Sequence, residues 1–301
     1  MTERHARRRR DWWPAPAKLN LCLHILGRRS DGYHELQTVF QLLDWCDELA
    51  FEPPQAPGVI ERVEGPAGID PKTDLAVRAA YALRAAALAR GHPRAAELGA
   101  RLRLHKRIPI GAGLGGGSSD AATALRALNH YWDLGFDLAE LTAIGLRLGA
   151  DVPVFLGGRS AWAEGIGERL TPIDLPQRWF LILYPGVAVR TAEVFQDPEL
   201  TRNSPLMTIR GFFESGGRND CEPLVRARYP AVAAALDWLT RHAPARLTGT
   251  GSCLFAAFAS AAQAERIAAR VPDDHGWRAW VVQGWAVSPL EEAHRWGVAK
   301  W

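Results

Sequence analysis

Hydrophobic and polar residues alternate through Lys-Leu-Asn-Leu-Cys-Leu-His-Ile-Leu, residues 18–26. The alternation predicts a strand with Leu19, Leu21, Leu23 and Ile25 on one face and Lys18, Asn20, Cys22 and His24 on the other. A turn with Asp31-Gly32 at its tip leads to a second strand, Leu-Gln-Thr-Val-Phe-Gln-Leu-Leu at 36–43. Residues 74–90 are alanine-rich and lack glycine and proline, so they predict a helix. A third alternating strand, 100–106, runs straight into Ile-Pro-Ile-Gly-Ala-Gly-Leu-Gly-Gly-Gly-Ser-Ser-Asp, 108–120. Helical spacing resumes over 118–132, with a serine placed to cap it. A helix over 137–149 opens with Asp137 and Glu140 in capping-box order and is stopped by Gly149.

The second half reads as a buried strand (180–185), a helix with proline at its start (230–243) and a glycine turn feeding a strand (246–258). A helix (260–271) and a closing strand (279–285) follow. Strands and helices mix without regular β-α alternation, which predicts an α+β fold. The division expected is a basic extension at 1–13, a first domain at 14–165 and a second at 166–301.

A strand, a glycine-rich turn and a helix N-terminus make an anion site, because bare backbone approaches a phosphate closely and free N–H groups point at it. A P-loop requires Gly-Lys-Ser/Thr at its end, and Gly-Ser-Ser stands here. Gly111, Gly113 and Gly116 match a dinucleotide fingerprint literally, but the following helix leads into no second strand.

Composition narrows the function classes. The 301 residues are 48% hydrophobic and 23% charged, ordinary for a globular enzyme. No apolar run suggests a membrane span, and the basic start is followed by Trp-Trp-Pro rather than by a signal-peptide core. Four scattered cysteines (Cys22, Cys46, Cys221, Cys253) argue against a zinc site or disulfide framework and for a reduced, cytoplasmic setting. The net charge of +3 resides wholly in residues 1–11. That arm and twelve tryptophans leave a nucleic-acid binder as a second reading, although such modules spread their charge over a face. Only four lysines occur, so Lys18 inside an apolar strand stands out.

Pro109–Ala122 resembles the phosphate motif P-x-x-x-G-L-G-G-G-S-S-[DN]-A-A of the GHMP kinases. Pro-Ala-Lys-Leu-Asn-Leu (16–21) is similar to the N-terminal motif of that superfamily, and Leu-Thr-Gly-Thr-Gly-Ser-Cys (247–253) to its C-terminal glycine motif. Residues 27–44, 148–155, 163–168 and 219–223 narrow the resemblance to the branch whose acceptor is 4-diphosphocytidyl-2-C-methyl-D-erythritol. Ile110-Gly111-Ala112-Gly113 stands where that branch often has Met-Gly-Gly-Gly.

The resemblance implies a two-domain GHMP kinase fold. Its N-terminal domain is ribosomal protein S5 domain 2-like and binds ATP; its C-terminal domain is ferredoxin-like and binds substrate. It implies phosphorylation of the acceptor's 2-hydroxyl, giving the 2-phosphate and ADP, in the non-mevalonate isoprenoid precursor pathway. Another GHMP kinase with a mevalonate- or homoserine-type acceptor is the alternative within that superfamily. ATP with Mg2+ and a cytidine-diphosphate-linked polyol are the expected ligands, with no tightly bound cofactor, nucleic acid or membrane. Asp151 becomes the catalytic aspartate and Lys18 the cation beside it. Asn20 is expected to hydrogen-bond substrate or Asp151. Pro109, Ile110, Gly111, Ala112, Gly113, Leu114, Gly115, Gly116, Gly117, Ser118 and Ser119 line the ATP phosphates, with Asp74 and Lys106 near the adenine. Tyr33, His34 and Phe195 recognise the cytosine, and Thr191, Gly249 and Gly251 also meet substrate. Taken without the resemblance, Tyr33-His34 are ordinary turn residues and one of the two serines a plain helix cap.

Overall fold

The computed structural model describes residues 12–293. The arginine-rich arm and the tryptophan-rich C-terminus lie outside them, except that β1 (Trp12–Arg28) opens with two residues assigned above to the arm. Trp12 and Trp13 pair with Ala50 and Leu49 of β2 (His34–Glu52), and the Trp13 side chain is buried. The Trp13 indole is part of the first core and anchors this stretch of β1 to it.

β1 corrects the simple alternation. Its register against β2 shifts between Asn20 and Leu23, a bulge with an extra residue on β1. Lys18 and Asn20 face Leu42 and Phe40, whereas Leu23 and Ile25 face Thr38 and Leu36, positions of the same parity on β2. The bulge thus brings Leu23 and Ile25 round to the face carrying Lys18 and Asn20. Both faces of β1 are covered, which a one-sided reading of the alternation does not foresee.

β2 is the spine. β1 runs along one edge, and the other is shared in succession by β4 (Ala100–His105), β10 (Arg278–Trp285) and β5 (Ala161–Glu164). β3 (Ile60–Glu64) adds to β4 in parallel, and β6 (Arg169–Pro172) adds to β5. Helices α1 (Leu75–Ala89), α2 (Gly116–Tyr131), α3 (Leu138–Leu146) and α4 (Val152–Gly157) pack with these strands around the first core. The capping box at Asp137 and Glu140 is present. The turn at 165–167 joins the paired strands β5 and β6, so the chain leaves the first core only beyond Pro172.

The second core is built on β7 (Trp179–Tyr184), β8 (Ala245–Leu247), β9 (Leu254–Phe258) and β10. Of the helices, α5 (Thr191–Gln196) joins this core, α6 (Ile209–Ser215) instead packs Phe212 with Cys22, Val39 and Trp162 in a separate small cluster, and α7 (Glu222–Arg228), α8 (Pro230–Thr240) and α9 (Ala261–Ala268) complete the core. Strand order β10-β7-β9-β8, antiparallel throughout, with helices between β7 and β8 and between β9 and β10, is the ferredoxin-like arrangement. Leu23, Ile25 and Leu36 of β1 and β2 enter this core, and Gly284 and Trp285 of β10 pair with β2. The α+β expectation holds, and the two cores share one continuous sheet.

Candidate active site

A cleft of about 1050 Å³ is lined from both cores, at the large end of the usual range for ligand sites. The bulged end of β1 reaches it with Lys18 and Asn20, and α4 reaches it with Asp151, which precedes the first helical turn.

Lys18 is 3% exposed, and its ammonium donates to Asn20 Oδ1 at 2.5 Å and to the Gly113 carbonyl at 3.0 Å. Asp151 Oδ2 stands 3.3 Å away. Asn20 Nδ2 donates to Thr38 Oγ1, whose own hydroxyl donates to the Cys22 carbonyl, so the amide can turn only its oxygen toward Lys18. Of the two partners expected for Asn20, substrate or Asp151, the described contacts include neither: its amide meets Lys18 and Thr38, and its second N–H and second lone pair leave the substrate alternative open.

The glycine stretch forms the adjoining wall. Pro109 through Ser118 line the cleft. Gly113 has φ +77°, and a side chain there would press its Cβ to 2.3 Å from the Thr248 carbonyl. At Gly115, φ +73°, the Cβ would meet Phe155 at 2.8 Å and Lys18 at 3.0 Å. Ala112, the departure from the family pattern, is absent from the positive-φ positions and buried, so its methyl fits. The helix α2 begins two residues earlier than expected, with Gly115 in the left-handed region at its cap and no side-chain cap. Neither serine caps it, because Gly115 already supplies the sharp turn. The amides of Gly116, Gly117 and Ser118 have no backbone acceptor among the described residues, and they lie at the positive end of the helix dipole. Ser119 is not in the cleft wall: it is fully buried, one position too deep in the helix.

Asp74 and Lys106 line the cleft, both already engaged. Asp74 caps α1 by accepting from Ala76 N, and its other oxygen takes the Arg62 guanidinium at 2.5 Å. Lys106 is held between the buried carboxylates of Asp47 and Asp120, the latter at 2.8 Å. Burial alone would lower the Lys106 ammonium, but Asp120 and Asp47 outweigh it and raise the pKa. Burial also pushes the Asp120 carboxyl up to about 8. Asp47 further accepts from the amides of Arg107 and Ile108, pinning the entry to the glycine stretch.

At the other corner, Tyr33 is 57% exposed and its chain neighbour His34 is buried. The His34 and Phe195 rings pack at 5.1 Å between centroids, inclined by 31°. Burial, and then Arg202 and Arg28, hold the His34 pKa below its ordinary value. Thr191 and Phe195 lie four residues apart on α5 and so share a face. Thr191 Oγ1 meets Thr250 Oγ1 at 2.9 Å. Gly249 reaches the wall, but Gly251 does not: it sits behind, its added Cβ 2.9 Å from Leu247. The glycine turns of the two halves are laced together by Cys253 N donating to the Ala112 carbonyl.

Two participants escaped the sequence reading. Asn219 donates to the carbonyls of Leu247 and Gly249, and the segment 219–223 was its only signal. Arg202 donates to His34 Nε2 at 3.0 Å from a loop without a motif.

The chain matches two family models, the GHMP kinases N terminal domain over residues 74–159 and the GHMP kinases C terminal domain over 199–276. The fold and the glycine-walled cleft are those of a GHMP kinase. It is 55% identical over 278 residues to a 4-diphosphocytidyl-2-C-methyl-D-erythritol kinase of Alkalilimnicola ehrlichii, covering 92% of each chain. To the protein of that name from Nitrosococcus oceani it is 53% identical, over 90% of this chain and 94% of the relative. A crystal structure of 4-(cytidine 5'-diphospho)-2C-methyl-D-erythritol kinase superposes with a TM-score of 0.75 at 35% identity, covering 91% of this chain and 98% of the other. The chain belongs to the 4-diphosphocytidyl-2-C-methyl-D-erythritol kinase family.

Proposed function

We propose that this protein transfers the γ-phosphoryl group of ATP to the 2-hydroxyl of 4-diphosphocytidyl-2-C-methyl-D-erythritol, giving the 2-phosphate and ADP. The observation that carries the reading is that the Lys18–Asp151 pair, the glycine wall and the Tyr33–His34–Phe195 corner line one cleft.

Phosphoryl transfer asks for positioning and charge stabilisation more than covalent chemistry. The unpaired amides at the start of α2 and the crowded backbone at Gly113 and Gly115 suit the donor phosphates. Asp151 accepts the proton of the acceptor hydroxyl as the new P–O bond forms and the bond to ADP breaks. Lys18 stabilises the charge on Asp151 and on the moving phosphoryl group, and Asn20 holds it in place. Thr191 and Thr250 are polar groups for the acceptor, and Tyr33 and Phe195 offer faces to its base.

Magnesium fits as part of the nucleotide complex. The described residues hold no cluster of three potential ligands, so the phosphates would carry most of the ion, with the Ser118 hydroxyl in the cleft wall offered beside them. Bound there, the ion would neutralise phosphate charge. The four cysteines are free thiols, which suits a reducing cytoplasmic setting, and no helix among the described residues is long and apolar enough to cross a membrane.

Acceptor-dependent ADP release tests the assignment. The cytidyl substrate should support turnover, with mevalonate and homoserine near background. Faster turnover of either of those would assign another acceptor.

A further inference from the structure

Arg202 makes four donor contacts at the base corner of the cleft. Its Nε donates to His34 Nε2 at 3.0 Å, Nη1 to the Leu200 carbonyl at 3.1 Å, and Nη2 to the carbonyls of Phe195 at 3.0 Å and Asp197 at 2.6 Å. A guanidinium has donors only. His34 Nε2 must therefore accept, which places the proton of the neutral ring on Nδ1. Nδ1 has no hydrogen-bond partner among the described residues, and His34 lines the cleft. The ring thus has one polar group left to offer, an N–H donor.

We infer that Arg202 is a positioning residue for base selection: by locking His34 as the Nδ1–H tautomer, it makes this corner of the site a donor that fits cytosine and not uracil. Cytosine carries acceptors at N3 and O2 on its pairing edge, whereas uracil has N–H at position 3. A donor facing N3 completes a hydrogen bond with the first and sets two N–H groups against each other with the second. A polar site rejects a mismatched analogue because its own buried group is then left unpaired. Were the proton on Nε2 instead, Nδ1 would accept, and the preference would reverse. The same guanidinium grips the backbone of Phe195, the ring packed on His34, so the edge-reading and face-packing residues share one anchor. The inference rests on the reading above that His34 meets the base.

The test begins with the unsubstituted enzyme. Imidazole nitrogen-15 spectra at pH 7, with and without cytidine 5'-diphosphate, should show His34 neutral and protonated on Nδ1. A ring protonated on Nε2, or on both nitrogens, overturns the inference. Arg202→Gln then provides an amide that can either donate or accept. It should leave mixed tautomers and lower the preference for the cytidyl over the uridyl acceptor, in kcat/KM, by about tenfold, the worth of one such hydrogen bond. KM for ATP should stay unchanged. Arg202→Lys, still a donor only, should retain most of the preference. If Arg202→Gln weakens both acceptors equally, the residue merely braces its loop and the inference fails. His34→Ala separates the two layers: an unchanged KM for the cytidyl acceptor removes the base-contact reading and the inference with it. A raised KM beside an unchanged preference in Arg202→Gln removes the inference alone.

Discussion

Asp151 and Lys18 meet at 3.3 Å across the cleft wall from opposite environments: the Lys18 side chain is 3% exposed and the Asp151 side chain 35%. The lysine is fixed by the Gly113 carbonyl and Asn20, whereas Asp151 makes no capping bond to its own helix. A buried ammonium with fixed partners and a carboxylate open to the cleft suit a stationary charge stabiliser and a proton acceptor. An ion pair serving stability alone gains little from leaving one partner in solvent.

Asp151→Asn keeps the size of the side chain and removes its charge. We expect kcat to fall by about 10²–10⁴-fold, the usual contribution of a general base, with ATP binding retained. Lys18→Met should act similarly, and the two losses should be far from additive, because groups working as one unit fail together. A double-mutant cycle in kcat, with calorimetric ATP binding as the folding control, reads both. Retention of most activity by Asp151→Asn would refute the assigned role.

Gly113→Ala should weaken ATP binding. The substitution forces a side chain into the left-handed region, at roughly 1–2 kcal/mol, and drives its Cβ against the Thr248 carbonyl. Because Gly113 also supplies an acceptor to Lys18, kcat should fall as well. Calorimetric ATP affinity and kcat are the measurements; unchanged values for both would show that the wall can yield.

Phe195→Ala should raise KM for the cytidyl acceptor by an amount equivalent to about 1–3 kcal/mol, the worth of one base–aromatic contact, and leave KM for ATP alone. Equal loss for both substrates would mean that removing the ring collapsed the His34 packing instead.

Asp120→Asn should change how stability depends on pH. Burial raises the Asp120 carboxyl from 3.8 in the unfolded chain to about 8. The folded protein therefore keeps a proton that the unfolded chain releases. The stability this contributes is complete below the unfolded pKa and is lost as pH rises through the folded one. Asparagine carries no such proton, so Asp120→Asn should flatten the decline in Tm between about pH 4 and 8. Thermal melts of both proteins across that range decide it. Parallel curves would show that the Lys106 ammonium keeps Asp120 ionised throughout, against burial and the like charge of Asp47.

The local elements were legible in the chain because their causes are local. Alternation marked β1, alanine content marked α1, and Asp137 with Glu140 marked the start of α3. The glycine stretch announced an anion site, since several of its residues need a backbone that only glycine adopts freely. The approach of Lys18 to Asp151, 133 positions apart, was readable only through resemblance to a family. What the tertiary structure alone decided lies where distant segments compete for one group. The bulge in β1 arises from pairing with β2 and turns Leu23 and Ile25 onto the face of Lys18. Asn20 faces Lys18 because the Thr38 hydroxyl is already committed to Cys22. His34 is held by Arg202, 168 positions along the chain, in a loop without helical or strand periodicity. Sequence pattern reports which face a residue wants to bury; which partner satisfies its polar atoms depends on the packing that brings remote donors and acceptors within reach.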